Sequence, residues 1–297
     1  MTTEKTIDTL VDDIYALFKD GDQAIEFGDH FFQNFGKGLE DIMSLRFQEK
    51  RDDTPRLRMS NIGRPDRQLW YDMHPDGSKE PFLPSTLIKF AYGDMIEEFI
   101  LMLAKMAGHD VKMEQGEVGV DGIKGHIDCM IDGVVVDIKS ASTYSFKKFE
   151  SGELLEGKAK DPFGYVAQMA GYVEALTPGK GGAFLAVDKT LGKLTLLKVP
   201  AEVLQPFDVK ARIAHIKDVV EQDAAPERCY EDVPDGKSGN MKLDIGCSYC
   251  SHKFRCWPEL KTYYYSNGPR YLTKVVREPK VSGEAYDPNP FAAMGNG

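Results

Sequence analysis

The sequence predicts a mixed α/β fold with a central sheet flanked by helices. Three observations carry the prediction. A long apolar-striped helical segment runs over 84–108, three short β segments follow it, and a further helix then leads into two more strands. Helix, three strands, helix, two strands is the order of a sheet whose faces are covered by helices. The chain has 297 residues, of which 42% are hydrophobic, enough for one large domain or two small ones with a sizeable core.

In chain order, Ile7, Leu10, Val11, Ile14, Leu17 and Phe18 recur at helical spacing, with Gly21 as a stop. A second, aromatic-rich helical stretch covers 27–47, ahead of the charged run 48–53. In the long segment, Ser85 is suited to capping, and Leu87, Ile88, Ala91, Met95, Phe99, Met102 and Met106 line one broad face, which predicts a core helix. Strands are expected over 111–120, 124–131 and 134–140, separated by glycine-containing turns. Asp161 and Pro162 suit the start of the next helix, and Thr177-Pro178-Gly179 ends it. A hairpin over 182–187 and 193–199, a helix over 201–221 and a loop-rich, cysteine-bearing part over 226–258 follow. The tail from 279 is rich in Pro, Gly and Asn and is expected to be disordered. The implied division is an N-terminal helical region over 1–83, a core over 84–225, a cysteine-rich region over 226–278 and a tail over 279–297.

Composition narrows the function. The longest uninterrupted apolar stretch, 99–104, is far short of the ~20 residues of a spanning helix, so no membrane association is expected. Residues 1–13 carry Glu4, Asp8, Asp12 and Asp13 and lack a signal-peptide pattern, which predicts a cytoplasmic chain with reduced cysteines. A net charge of −10 argues against indiscriminate nucleic-acid binding but leaves room for a locally basic groove.

The stretch from Gly125 to Ser140 is the most informative. Asp132-Gly133 favours a two-residue type I′ turn, and that turn fixes the register. Ile131 then faces Val134, Met130 faces Val135, Cys129 faces Val136, Asp128 lies opposite Asp137, and His126 faces Lys139. Two carboxylates in direct cross-strand contact, ~5 Å apart, repel one another. A divalent cation between them removes the conflict, and hard oxygen ligands suit Mg2+ or Mn2+. Strand alternation puts Lys139 on the same face as Asp137, near water that such a cation activates. An Asp-x-Lys surface ion pair on an ordinary hairpin is the competing explanation. Two further pairs bear on it. Gln168 and Tyr172 share a helix face, and Gly93 leaves space one turn before Glu97, a candidate third ligand, while Glu98 points elsewhere. A solvated face carrying Asp94, Glu97 and Glu98 is the plainer alternative.

Gly93-x-x-x-Glu97, Gly125-x-x-Asp128, Asp137-x-Lys139 and Gln168-x-x-x-Tyr172 together resemble, in order and spacing, the RecB-like branch of the PD-(D/E)xK nucleases. The resemblance implies a metal-dependent DNA nuclease of restriction-endonuclease-like fold. Asp128 and Asp137 would bind the metal, the Ile138 carbonyl would add a ligand, and Lys139 would position the attacking water. Many members have His where Glu97 stands.

Cys247-x-x-Cys250 with Cys256 brings three thiols into one short loop, and Cys229 upstream is a candidate fourth. Tetrahedral zinc, with four sulfurs or with His252, and a [4Fe-4S] cluster are the competing fillings. The Cys-x2-Cys-x5-Cys spacing is similar to that of RecB-like nucleases with an iron–sulfur staple, including AddB and the CRISPR-adaptation exonucleases. Those take a fourth cysteine from an N-terminal segment that resembles 60–71 here, but Pro65 stands at its position. Cys229 is then the necessary substitute. Cys129, on the opposite sheet face from Asp128, is expected in the core.

Local positive charge accompanies these motifs. Arg56, Arg58, Arg64 and Arg67 precede the long helix, and Lys147, Lys148, Lys158 and Lys160 precede the Gln168 helix. Trp70, Tyr71, Tyr144 and Phe146 are interleaved with them, as in grooves that stack unpaired bases while cations meet phosphates. No Gly-x4-Gly-Lys-Ser/Thr motif is present, so unwinding would need a partner. The expectation is a stand-alone DNA exonuclease like those phages encode for genome processing and recombination. It would act on single strands or duplex ends in the host cytoplasm, with a recombination or replication partner reached through the C-terminal tail. The competing expectation is a non-catalytic DNA-binding or assembly module that keeps the nuclease fold.

Overall fold

The computed structural model describes residues 5–19, 28–48, 54–77, 82, 84–157, 160–265 and 268–281. The chain forms two compact units, one of residues 1–64 with 82–221 and the other of residues 65–81 with 222–297. Residues 65–81, which the sequence reading joins to the N-terminal region, therefore group with the cysteine-bearing part. Gly21, Lys158, the run 49–53 and the tail from 282 lie outside the described residues.

Helices α1 (Leu10–Ala16) and α2 (Asp29–Phe47) open the first unit, and α3 (Asp66–Met73) belongs to the second. The first unit continues with α4 (Pro84–Met106), β1 (Val111–Lys112), β2 (Glu117–Val120), β3 (Ile123–His126), β4 (Cys129–Ile131) and β5 (Val134–Ala141). It ends with α5 (Thr143–Glu150), α6 (Tyr165–Leu176), β6 (Gly182–Asp188), β7 (Lys193–Val199), α7 (Ala201–Leu204) and α8 (Val209–Val220). Its main sheet has the order β1-β4-β5-β6-β7, and β2 and β3 pair separately. Only β5 and β6 run parallel, because the chain leaves β5 through α5 and α6 before returning. Tight turns make β4–β5 and β6–β7 antiparallel, and β1 pairs antiparallel with β4 across the intervening β2–β3 hairpin. At the β4–β5 turn Asp132 and Gly133 both have positive φ, 51° and 78°, as a type I′ turn requires.

The sheet lies between two helical layers. Cys129, Ile131, Val136, Ile138, Ala183, Leu185 and Val187 pack with α1 and with Ile100–Ala104 of α4. On the other face Phe184 meets Phe149 of α5 and Tyr165 of α6, with ring centroids 5.8 and 6.3 Å apart. All seven residues of β6 are buried, as its apolar run and central position demand. Each fully buried large side chain contributes about 1.5–3 kcal/mol.

Several expectations need correction. The long helix is a core helix only in its second half. Leu87, Ile88 and Phe99 are exposed, because the sheet is met by Ile100–Ala104 while the first half runs beside α2, which has no buried residue. Ser85 lies inside the helix, which already includes Pro84. The strand expected over 111–120 breaks where Met113 and Gln115 take positive φ, and the one over 124–131 breaks at residues 127–128. His126 consequently pairs with Glu117 and does not face Lys139. The helix expected over 201–221 divides, with the Asp208 side chain capping α8 by accepting from the Ala211 N–H at 2.9 Å. Asp161 does serve the start of α6, its two oxygens accepting from the Tyr165 and Val166 N–H groups at 2.9 and 2.8 Å. No described helix is long and apolar enough to cross a membrane.

The second unit carries a four-stranded antiparallel sheet in the order β10-β11-β9-β8, with β8 (Val233–Pro234), β9 (Met241–Lys242), β10 (Lys261–Tyr265) and β11 (Gly268–Lys274). Short helices α9 (Ile245–Ser248) and α10 (Lys253–Cys256) hold Cys247 and Cys256, and Cys250 lies between them.

One close backbone approach gives a direct test of the first unit. A Cβ on Gly63 would lie 2.7 Å from the Gly164 carbonyl oxygen and 2.8 Å from Ala167 Cβ, whereas one on Gly36 in α2 would meet nothing within 4 Å. Gly63→Ala is therefore expected to destabilise by about 1–3 kcal/mol in denaturant unfolding. Gly36→Ala should be neutral or stabilise by up to about 1 kcal/mol.

Candidate active site

The β4–β5 ladder pairs Ile131 with Val134, Met130 with Val135 and Cys129 with Val136, and then stops. Beyond Val136 the main sheet pairs β5 with β6 alone. Asp128 occupies the place where the ladder would continue, and its Oδ2 accepts from the Ile138 N–H at 2.6 Å. Its own carbonyl accepts from the Gln115 N–H at 3.0 Å. Asp137, 2% exposed, is the next residue of β5 after the last pair. Both of its carboxylate oxygens are buried, and Oδ1 has no hydrogen-bond donor among the described residues. Lys139 Nζ lies 2.5 Å from Asp137 Oδ2 as an ion pair.

Glu97 approaches this pair from α4. Burial, then the charges of Asp128 and Asp137, push its carboxyl up to about 9. Burial and Asp137 raise Asp128 to about 7. Burial pulls the Lys139 ammonium down, but Asp137 and Asp128 outweigh it and hold that group above the usual lysine range. Glu97 also accepts a hydrogen bond from the Gln115 side chain. Glu98 turns to α2 instead, where a Cβ on Gly38 would collide with its carboxyl group. Gly93 supplies the close approach of α4 to β5, since a Cβ there would lie 3.2 Å from Ser140 Oγ.

Helix α6 closes the other side. Gln168 Nε2 donates to the Tyr172 hydroxyl at 3.0 Å, and burial pushes that phenol up to about 12. Tyr165 places its ring under Lys139, with Nζ 5.0 Å from the centroid. Sequence reasoning did not single out Tyr165, although 165, 168 and 172 stand at i, i+3 and i+7 on one helix face. Gln115, which links Glu97 to Asp128, was also missed, and no sequence signal marks it because its role depends on a left-handed loop residue.

The four cysteines of the second unit, Cys229, Cys247, Cys250 and Cys256, line one pocket together with Pro65 and His252. The sulfur of Cys229 receives the backbone N–H groups of Gln68 and Arg67 in the first turn of α3. Burial, then Cys250, Cys229 and Cys256, push the Cys247 thiol up to about 12. Burial likewise raises Cys229 and Cys250. His252 Nε2 is 2.9 Å from Asp72 Oδ1. Cys129 is buried in the first unit.

The aromatic residues proposed to stack on bases fare unevenly. Trp70 and Tyr71 are buried, and their surfaces are already used within the second unit. Trp70 stacks on His74 at 4.1 Å and donates to the Gln222 carbonyl, while Arg67 and Arg255 lie over Tyr71. Neither ring is free to stack on a base. Phe146 is buried against the sheet layer, and Arg67 donates to the Pro226 carbonyl. Lys147 and Tyr144 are exposed, Lys148 is half-buried over Tyr144, and Arg64 is half-buried over Phe163.

Among the described residues, no three His, Cys, Asp or Glu side chains already stand in the geometry of a metal site. The donor chemistry nevertheless fits two different metals. The clustered carboxylate oxygens of Asp128, Asp137 and Glu97 suit a hard cation, and four thiols in one pocket suit a soft one.

No family model matches the chain, and no curated protein matches it. Among solved structures it is similar to SSO0001, at 16% identity over 77% of this chain and 96% of that one, with a TM-score of 0.40. It is also similar to LHK-Exo in complex with dAMP, at 14% identity over 57% of this chain and 91% of that one, with a TM-score of 0.37. Both likenesses are too slight to transfer chemistry, which rests on the geometry above.

Raised carboxyl pKa values have a definite consequence for stability. Asp128 and Glu97 bind their protons more tightly folded than unfolded, so stability is lost as pH rises from about 4 toward 7 and 9. With a chelator present, the melting temperature is expected to fall between pH 5.5 and 8, by up to about 1.4 kcal/mol of stability per pH unit per proton. Asp128→Asn and Glu97→Gln should each flatten that fall, and millimolar Mn2+ should flatten it in the wild type. A slope unchanged by both substitutions would show that these carboxyls are not the cause.

Proposed function

We propose that this chain is a divalent-cation-dependent phosphodiesterase of the RecB-like PD-(D/E)xK type that degrades DNA. The observation that carries the reading is the juxtaposition of half-buried Asp128 with buried Asp137, with Lys139 beside them. Such an arrangement is costly in a purely structural sheet and useful around a cation. Asp128, Asp137, Glu97 and the Ile138 carbonyl would hold Mg2+ or Mn2+. When bound, the cation supplies Lewis-acid stabilisation of phosphoryl oxygens and a lowered pKa for water. Lys139, kept protonated by its two carboxylate neighbours, orients water and meets phosphoryl charge as a donor; it does not accept a proton at neutral pH. Gln168 and Tyr172 orient groups on the α6 side through their shared hydrogen bond. The exonuclease mode, the phage-type role in DNA processing and a cytoplasmic setting follow the sequence resemblance.

Purified protein, assayed with and without Mg2+ or Mn2+ on end-labelled and circular DNA, is expected to degrade linear substrates only when the cation is present. Asp137→Asn and Lys139→Ala should each lower the rate at least 10³-fold, on the order of 4 kcal/mol of transition-state stabilisation, without loss of fold. Asp137→Asn turning over at the wild-type rate would overturn the active-site assignment, whereas wild-type protein that binds DNA but never cleaves it would favour a DNA-binding module.

The cysteine pocket is proposed as a structural staple, a [4Fe-4S] cluster or alternatively zinc, with Cys229 replacing the cysteine absent at Pro65. Pro65 and Cys229 line the same pocket, which supports that substitution. Elemental analysis of anaerobically purified protein should find iron with sulfide, or zinc. Cys229→Ser should lose the metal and melt at lower temperature, whereas Cys129→Ser should keep the metal. Metal-free wild-type protein, or full loading of Cys229→Ser, would contradict the staple.

A further inference from the structure

Beside the carboxylates, the first unit presents a row of cationic and aromatic side chains. The Arg64 guanidinium lies 5.5 Å from the centroid of Phe163, the Phe163 and Tyr165 rings are 5.6 Å apart, and Lys139 Nζ is 5.0 Å from the Tyr165 centroid. Arg64, Phe163, Tyr165 and Lys139 thus form one continuous row. Among the described residues the Arg64 guanidinium has no carboxylate or hydrogen-bond partner, and the Tyr165 hydroxyl has none either. Asp161, the nearby acid, is spent on the Tyr165 and Val166 N–H groups.

The backbone that presents Arg64 is held from two sides. Arg212 of α8 donates from Nε to the Ile62 carbonyl at 2.9 Å and from Nη2 to the Arg64 carbonyl at 2.7 Å. Gly63 lies directly against Gly164, where a Cβ on either glycine would meet the other's backbone at under 3 Å. A cation carried on backbone held this firmly, beside an aromatic ring and free of internal anions, is pre-organised for an external anion.

We propose that Arg64 and the Tyr165 hydroxyl form a phosphate subsite for the nucleic-acid strand, one row away from the cleavage centre. Arg212 acts as the positioning residue for it. The inference rests on the nuclease reading and deepens it: the subsite grips a backbone phosphate, sets the register of the strand over Asp128 and Asp137, and reads no base.

The test is binding of single-stranded oligonucleotides, in Ca2+, that carry one neutral methylphosphonate at successive linkages from the end. Wild-type protein should lose about tenfold in affinity at one linkage. Arg64→Ala, and Arg64→Gln as the variant that keeps the packing, should bind the unmodified strand about tenfold more weakly and be indifferent at that linkage. Their salt slope should fall by about 0.7. Tyr165→Phe should lose part of the same penalty. Strands with and without a terminal phosphate distinguish a phosphomonoester from an internal phosphodiester. Cleavage and binding by the wild type, with an unchanged methylphosphonate profile in Arg64→Ala and Arg64→Gln, would overturn the subsite alone. Wild-type protein that neither binds nor cleaves DNA would overturn the nuclease reading and the subsite together.

Discussion

The two-residue turn at Asp132-Gly133 is the constraint on which the candidate site depends. With both residues at positive φ, β4 and β5 have one available register, and the ladder ends at Cys129 and Val136. The turn is itself fastened. Asp132 accepts from the Asp110 N–H at 3.0 Å, and its other oxygen is 2.7 Å from Nδ1 of the buried His109. His109 also lies 3.2 Å from Asp13, so the turn is tied to the segment that follows α4 and to α1. A one-residue slip would send Asp137 to the face that packs on α4 and exchange it for Ile138. The same fastening brings α4, and with it Glu97, to the end of the short strand.

Because the β4–β5 ladder stops at Cys129 and Val136, the Ile138 N–H is left to the Asp128 carboxylate. Glu97 accepts from Gln115, and Asp137 has only the Lys139 ammonium beside it among the described residues. Like charges in this much burial hold their protons or need a counter-charge, and Lys139 supplies only one. The surplus of hard oxygen donors is what a divalent cation would satisfy. Four of the five thiols collect in the other unit, so the carboxylate group and the cysteine pocket lie in separate parts of the chain.

Much of this was legible in the sequence where one local rule decides the outcome. Asp-Gly fixed the hairpin register, helical spacing put Glu97 and Glu98 on different faces, and Asp161 marked the start of α6. The rest depended on tertiary placement. An apolar stripe cannot report that the buried packing of α4 is confined to Ile100–Ala104, so Leu87 and Ile88 read as core and are exposed. Trp70 and Tyr71, next to Arg67, read as a stacking surface, but Arg67 and Arg255 lie over Tyr71 and His74 stacks on Trp70 inside the second unit. The β10–β11 hairpin, rich in tyrosine but flanked by no clear alternation, was not singled out. Gln115 was beyond reach, because its contribution comes from a left-handed bend that nothing in the local sequence announces.

Manganese binding is the most direct measurement of the central claim, since it reads the cation separately from any substrate. Electron paramagnetic resonance titration of the wild type with Mn2+ should reveal a bound population that disappears in Asp137→Asn and weakens in Glu97→Gln, while Glu98→Gln binds as the wild type does. Equal Mn2+ binding by the wild type and Asp137→Asn, or none by either, would contradict the assignment of these carboxylates to a cation.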